Sequence, residues 1–345
     1  MADPTSIPKW LKTQVAARVE IEDERSRKSN PILAFFPEED QEADTIEIRT
    51  ETLTRPESLF TTIDGKGHEV DGGTYASRYY SPAWTKPSSS FGPRDFTLFD
   101  RFIESGAGES SAMAKADRLT AGLTKTWTTW RKQLVFGALQ GTLTGTLIGG
   151  NAITVSYGLT ALANVGTVWS NIASTILADL RTMALAYRAA TGERFNAIAY
   201  RAATLGPYLA TNTDILTRFG SVEAFMATFA QIQANPIVGN AFGEMLGIGA
   251  DVTWFPVDDI YENRAGTSTN HWDGDYLTLF NTDLMGGAVT RTAIPGMVDG
   301  PGLNVQIKEP LTGDAVQKWT VQGFDNGLAT FTRPDVVIRQ RIAGF

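Results

Sequence analysis

The sequence predicts an α+β chain on three observations. From Thr45 the apolar residues recur every second position; over about 107–140 and again over 168–190 they recur at threes and fours; from Ala250 onward they return to short strand-like runs. Strands and helices therefore fall in separate stretches and not in an alternating βαβ series. Charge is segregated as well: 21 of the 30 basic and 38 acidic side chains lie between Asp3 and Glu57, whereas none lies in the 46 residues from Gln133 through Ala178.

At 345 residues the chain exceeds what one compact core usually fills, so two subdomains or one elaborated domain are expected. Its 42% hydrophobic and 20% charged composition is that of an ordinary globular protein. The absence of cysteine excludes disulfide scaffolds, thiolate zinc sites, iron–sulfur clusters and cysteine nucleophiles. With His68 and His271 as the only imidazoles, a multi-histidine metal site or a histidine relay is nearly excluded too. The uncharged run is interrupted by Gly141, Gly145, Gly149, Asn151 and Asn164, so it contains no continuous apolar stretch of about 18 residues and no membrane span is expected. Met1-Ala2-Asp3-Pro4 has neither the basic start nor the apolar run of a secretory signal, and a cytoplasmic protein is expected. A net charge of −8 argues against a dedicated nucleic-acid binder.

Residues 1–44 read as an arm. Glu20 to Lys28 is too charged to bury, whereas Asn30-Pro31-Ile32-Leu33-Ala34-Phe35-Phe36-Pro37 is apolar and must dock, either on its own domain or across on a neighbouring subunit. Ile46, Ile48 and Thr50 alternate with Glu47, Arg49 and Glu51, and Asp64-Gly65-Lys66-Gly67 is a turn signal, so residues 45–100 are expected to form a long polar β-hairpin. Too poor in large aliphatics to bury a core alone, it needs the parent domain or other chains. Met113, Ala116, Leu119, Leu123, Trp127, Trp130 and Leu134 mark one face of a long helix capped by Ser110 or Ser111 and ended by Gly137 or Gly141. Lys115, Asp117, Arg118, Lys125, Arg131 and Lys132 take its other faces. A hairpin over 142–157, a helix over 168–190 with Gly192 as its left-handed cap, a buried strand over 195–200 and helices over 202–210 and 222–233 follow. The remainder is mostly β, with strands over 250–255, 276–280, 302–307, 319–324 and 336–342.

Chemical motifs are sparse. Gly145 to Gly150 lacks the Lys-Ser/Thr of a phosphate loop, and no Gly-x-Ser-x-Gly elbow occurs. His271-Trp272-Asp273-Gly274-Asp275 is the most site-like cluster, but it lacks the later bidentate Glu of a calcium loop and reads as a surface turn. Asp258-Asp259 and Glu38-Glu39-Asp40 read as solvated acids, and Trp127 with Trp130 as core. No catalytic residue, cofactor or metal site is expected.

Arm, polar hairpin, long helix and α+β body occur in the order found in major capsid proteins of tailed phages. Locally the chain resembles the lambda-like major capsid protein E family, which has the Hong Kong 97-type capsid fold. The residues that carry the resemblance are Asn30 to Phe36 at the end of the arm, Tyr80-Ser81-Pro82-Ala83-Trp84-Thr85-Lys86-Pro87, Ala138-Leu139-Gln140-Gly141, Ile153 to Gly158, Gly166 to Ser170, and the closing strand from Pro334 to Ile342. Residues 200–310 match least.

The resemblance implies a non-enzymatic shell subunit that assembles as hexamers and pentamers into an icosahedral phage head around double-stranded DNA, bound without sequence specificity. Its implied partners are a portal protein, a separate scaffolding protein and, optionally, a decoration protein; it implies assembly in the host cytoplasm and residence in the virion. On this reading residues 1–44 are the N-terminal arm, 45–100 the extended loop, 101–165 with 312–345 a peripheral domain around the spine helix, and 166–311 an axial domain. Phe35, Phe36, Lys66, Tyr80 and Trp84 are the candidate intersubunit contacts. Lys66 would also be the lysine of any Lys–Asn crosslink of the kind known in some relatives of the fold. The rival readings are an encapsulin-like compartment shell and an unrelated α+β enzyme or binding module.

Overall fold

The computed structural model describes residues 6–41, 45–52, 74–80, 83–146, 152–234, 251–263, 266–292, 304–308 and 319–344, with Gly243, Leu246 and Ile248 singly. The first half of the chain carries α1 (Ser6–Ser29), a 3-10 turn (Pro31–Phe35), β1 (Glu38–Gln41), β2 (Ile46–Thr52), β3 (Thr74–Tyr80), β4 (Ala83–Thr85), β5 (Ser88–Phe91), α2 (Pro93–Ser105), α3 (Glu109–Leu139), β6 (Thr142–Thr146), β7 (Ala152–Ser156) and β8 (Thr160–Ala161). The second half carries α4 (Ile176–Thr191), β9 (Ala197–Tyr200), α5 (Ala202–Thr211), α6 (Thr213–Phe219), α7 (Val222–Ala234), β10 (Thr253–Pro256), β11 (Ile260–Glu262), β12 (Ser268–Asn270), β13 (Tyr276–Phe280), β14 (Gly287–Thr292), β15 (Asn304–Lys308), β16 (Trp319–Phe331) and β17 (Val337–Arg341).

These elements form two compact units, each drawn from three stretches of chain: 1–46, 81–135 and 288–329 make unit 1, and 47–80, 136–287 and 330–345 make unit 2. The cuts do not coincide with the expected peripheral and axial extents, because 288–311 packs with unit 1 while 136–165 and 330–345 pack with unit 2.

Unit 1 is a sheet with helices over it. Strand order is β1-β14-β16-β15, and β4 and β5 flank successive parts of the long β16. Asp325, Asn326 and Gly327 of β16 stand opposite Thr85, Trp84 and Ala83, and its Trp319–Gln322 half opposes β5. The 83–91 segment thus belongs to this sheet and α2 follows it, so the hairpin closes earlier than the expected residue 100. Pro93 in the first turn of α2, Asp95 accepting the Gly92 N–H at 3.2 Å and Gly106 at φ 68 account for that helix's two ends. Its buried Phe99 joins Phe91, Ala112, Ala116, Leu119, Leu123, Val305 and Val321 in one core, to which α1 contributes Ile7, Leu11 and Val15. Trp10 adds ring contacts to Phe99 and Phe102 at 5.3 and 5.5 Å. Within the single chain, the Ile7, Leu11 and Val15 face of α1 and Ile32, Leu33 and Phe36 are buried against their own unit.

The spine is α3, 31 residues and about 46 Å long by the helical rise. It starts at Glu109, so Ser110 and Ser111 lie inside its first turn, and Gly141 at φ 80 follows its end as expected. Gly137 stays within the helix, where a side chain would collide with Leu143.

Unit 2 has a five-stranded sheet, β10-β9-β13-β17-β8. Residues 197–200 of β9 are wholly buried, and helices α4 to α7 pack a core that includes Trp169, Tyr187, Tyr200, Phe225 and Trp254. Helix α4 begins at Ile176 and not at Val168, because residues 169–174 form a turn instead. Trp169 N–H donates to Ile342 O (2.9 Å), its indole donates to Asp179 (2.9 Å), and Asn212 Nδ2 holds Ser174 O (2.7 Å). Gly192 at φ 80 caps α4 as the sequence predicts. The hairpin β6–β7 pairs Thr142 with Ser156 through Thr146 with Ala152.

Candidate functional site

Five ionisable side chains from five elements of unit 1 meet at one buried place. The helical repeat puts Trp127 and Arg131, four residues apart, on one face of α3. Asp23 comes from α1, Glu38 from β1, Arg291 from β14 and Asp325 from β16. The charges alternate. Asp325 Oδ2 lies 3.5 Å from Arg291 Nη2, Arg291 Nη1 lies 2.7 Å from Glu38 Oε2, and Glu38 Oε1 lies 2.5 Å from Arg131 Nη1. That same Arg131 nitrogen donates to Asp23 Oδ1, and Asp23 Oδ2 accepts from Arg27 at 2.9 Å. The Trp127 indole lies beside both guanidinium groups, 5.6 and 5.7 Å from its ring centroid, and donates its N–H to Asp325 Oδ2 at 2.5 Å. Side-chain exposure is 4% for Arg131, 9% for Arg291 and 0% for Asp325, so water screens these charges little.

Burial is the main influence on the Asp325 carboxyl, pushing it up to about 6 with help from Glu38 and against the pull of Arg291 and the Trp127 N–H. Burial also lowers the Arg131 guanidinium, which Glu38 and Asp23 counteract. The cluster contains no nucleophile beside a base. Its chemistry is mutual neutralisation, which fixes a helix, a spine and three strands at one point. Arg131, expected on an outer face of the spine, points inward because two carboxylates from other elements compensate it. Asp325 and Arg291 were not legible as functional, although an arginine four residues from a core tryptophan was a signal that acids had to be near.

Phe36 is fully buried in its own unit, Phe35 is half-buried, and the chain after them is stitched down by Val289 N–H donating to Pro37 O (2.8 Å). Lys66 and the Asp64–Gly67 turn lie outside the described residues, as do the side chains of Tyr80 and Trp84, whose backbones lie in β3 and β4. The His271–Asp275 segment is a turn, and a well-anchored one. Gln140 donates to His271 O and accepts from Asp273 N–H, both at 2.8 Å, and Trp272 is buried. Among the described residues no group of three or more His, Asp or Glu is arranged to hold a metal ion, and no helix is long and apolar enough to cross a membrane. Asp258, read as a solvated acid, accepts the Ala203 N–H at the start of α5 (3.0 Å). Unit 2 exposes Tyr79, Ile172, Leu185, Val222, Met226 and Ile260, large apolar groups that single-sequence periodicity did not flag as surface.

The described residues thus give two compact units, a long spine helix and a buried ion cluster. Solved structures share this fold. The putative capsid protein of a prophage from Escherichia coli CFT073 superposes with a TM-score of 0.59 at 15% identity, covering 96% of this chain and 98% of that one. A phage-related protein from Bordetella bronchiseptica RB50 gives 0.51 at 12% identity, covering 91% and 92%. The encapsulin of Synechococcus elongatus PCC 7942 is a distant structural relative, at 0.43 and 12% identity. No curated protein matches the chain. The profile of the phage major capsid protein E family matches residues 32–339, and the chain belongs to that family. It is a capsid shell protein of the virion head.

Proposed function

We propose that the chain assembles as hexamers and pentamers into an icosahedral head that encloses double-stranded DNA without reading its sequence. Assembly takes place in the host cytoplasm with a portal protein and a separate scaffolding protein, and a decoration protein is an optional partner. The observation that carries this reading is the family match along nearly the whole chain, together with a fold shared with the prophage capsid protein. The paired strands β2 and β3 support it. Among the described strands they pair only with each other, and a two-stranded ribbon is marginal in water unless something covers it. Identical subunits in head-to-tail contact close into rings when the rotation permits, which is the contact a hexamer or pentamer requires. The chain acts in this reading without enzymatic activity. The extended loop, expected over 45–100, is in this reading the stretch that ends at residue 80; Lys66 and Tyr80 within it, with Trp84 and the half-buried Phe35 outside it, remain the chain's proposed contact residues.

The test is sizing and negative-stain microscopy of the full chain, alone and with its scaffolding protein co-expressed. Closed shells with pentamers at the vertices and hexamers on the faces are expected. Monomers that persist in both conditions would sink the reading. Portal and terminase genes beside the coding sequence are expected as well, and a cargo-enzyme gene in their place would favour a compartment shell.

A further inference from the structure

Two helices of unit 2 present apolar groups to solvent at helical spacing. On α4, Ile176, Leu180, Met183 and Tyr187 turn inward, which leaves Arg181, Leu185 and Arg188, at i, i+4 and i+7, together on the outer face. Leu185 is 71% exposed there. On α7, Phe225, Phe229 and Ile232 turn inward, while Val222, Met226 and Ala230, four residues apart, make an outer stripe beside Glu223. Single exposed apolar side chains are ordinary, but a stripe that follows the helical repeat is a surface that contact would bury.

The two faces are separate. Helix α6 packs against both helices. Helix α4 sits toward the β17 and β8 end of the five-stranded sheet, where the Tyr187 hydroxyl donates to Val336 O (2.6 Å) and the Trp169 N–H, just before the helix, donates to Ile342 O (2.9 Å). Helix α7 sits toward the opposite end, on β10, with Phe229 against Tyr200 of β9 at 6.0 Å between ring centroids. The faces also differ in charge. Arg181 and Arg188 are exposed and, among the described residues, have no carboxylate partner; the one acid of α4, Asp179, accepts from the Trp169 indole at 2.9 Å. Glu223 is the only charged residue of α7 and, among the described residues, has no basic partner. Contact between two copies of α4 would set arginines against arginines. Contact between α4 and α7 instead lays Leu185 on Val222 and Met226 and gives the arginines an acid.

We propose that the outer face of α4 in one copy of this chain packs on the outer face of α7 in the next, with Leu185 between Val222 and Met226 and Glu223 facing Arg181 and Arg188. Two different faces of one unit make a head-to-tail contact, which closes into a ring when the rotation permits. The contact rests on the shell reading and names the surface that joins neighbours within a ring.

The chain contains no cysteine, so Leu185→Cys and Met226→Cys introduce its only thiols. A short bis-maleimide spans the separation of about 8–10 Å between the axes of packed helices. In the double variant of the full chain, assembled with the scaffolding protein, this reagent is expected to give a covalent ladder reaching the hexamer on a denaturing gel. Each single variant is expected to stay uncoupled, and co-assembly of the two single variants is expected to give dimers and nothing longer. Self-coupling of either single variant, or closed shells under the microscope that yield no ladder, overturns the contact and leaves the shell reading untouched. Persistent monomers without a ladder overturn both. Should a thiol variant fail to fold, Arg181→Glu with Arg188→Glu takes its place. Shell yield is then expected to fall at least about tenfold and to recover when Glu223→Arg is added; no recovery overturns the contact.

Discussion

An arginine with 4% of its side chain exposed stays charged, so its burial is compensated only by carboxylates close to it, and for Arg131 these are Asp23 and Glu38. Arg131→Met takes one partner from each acid, leaving Asp23 to Arg27 and Glu38 to Arg291, and is expected to cost about 1–3 kcal/mol in urea unfolding of the unassembled chain. Adding Glu38→Gln and Asp23→Asn to that variant is expected to recover part of the loss, since part of the penalty lies in acids left under-compensated and not in the missing attraction. In unit 2 the Tyr187 hydroxyl donates to Val336 O at 2.6 Å from a site whose burial raises its pKa. Tyr187→Phe is expected to cost about 1–2 kcal/mol by the same measurement. Sequence reading missed Asp325 for a plain reason: Asp325-Asn326-Gly327 spells a turn. Here those residues run through a central strand because Trp127, Arg291 and Thr292 supply partners, and because Thr290 O sits 2.9 Å from where a side chain on Gly327 would begin. Such compensation comes from residues far away in the chain and leaves no local mark.

At the level of elements, legibility followed periodicity. The spine, β9, α5, α7 and the closing strand carried apolar repeats and were readable; α1 was not. Its helix owes much to four-residue charge pairs, Arg27 with Asp23 at 2.9 Å and Lys28 with Glu24 at 2.6 Å, which from sequence looked only like solvated charge. Its stripe of Ile7, Leu11 and Val15 precedes that run and is only three residues long. Placing α1 in the core changes what truncation should do. Deleting residues 1–44 uncovers Phe99, Leu119 and Leu123 and removes two acids from Arg131. The expected product is a partly unfolded, aggregation-prone chain by circular dichroism and light scattering, not a folded monomer that merely fails to assemble. A milder test is the cap of α4: Gly192→Ala forces a side chain into the left-handed region at φ 80 and is expected to cost about 1–2 kcal/mol.

For the whole molecule, composition excluded thiol and multi-histidine chemistry, and the order of elements carried the family resemblance. The division into compact units was not legible, because each unit is assembled from segments that no local pattern links. That division has a consequence in time. Unit 1 closes only when 288–329 joins 1–46 and 81–135, so its first stretch waits through about 283 residues of synthesis for its last. At ribosomal speed this is roughly fifteen seconds to a minute. During that interval Ile7, Leu11, Val15 and Phe36 have emerged while β14 and β16 do not yet exist. Unit 1 therefore cannot finish folding until most of the chain is made. The length of that delay is written into the order of the segments.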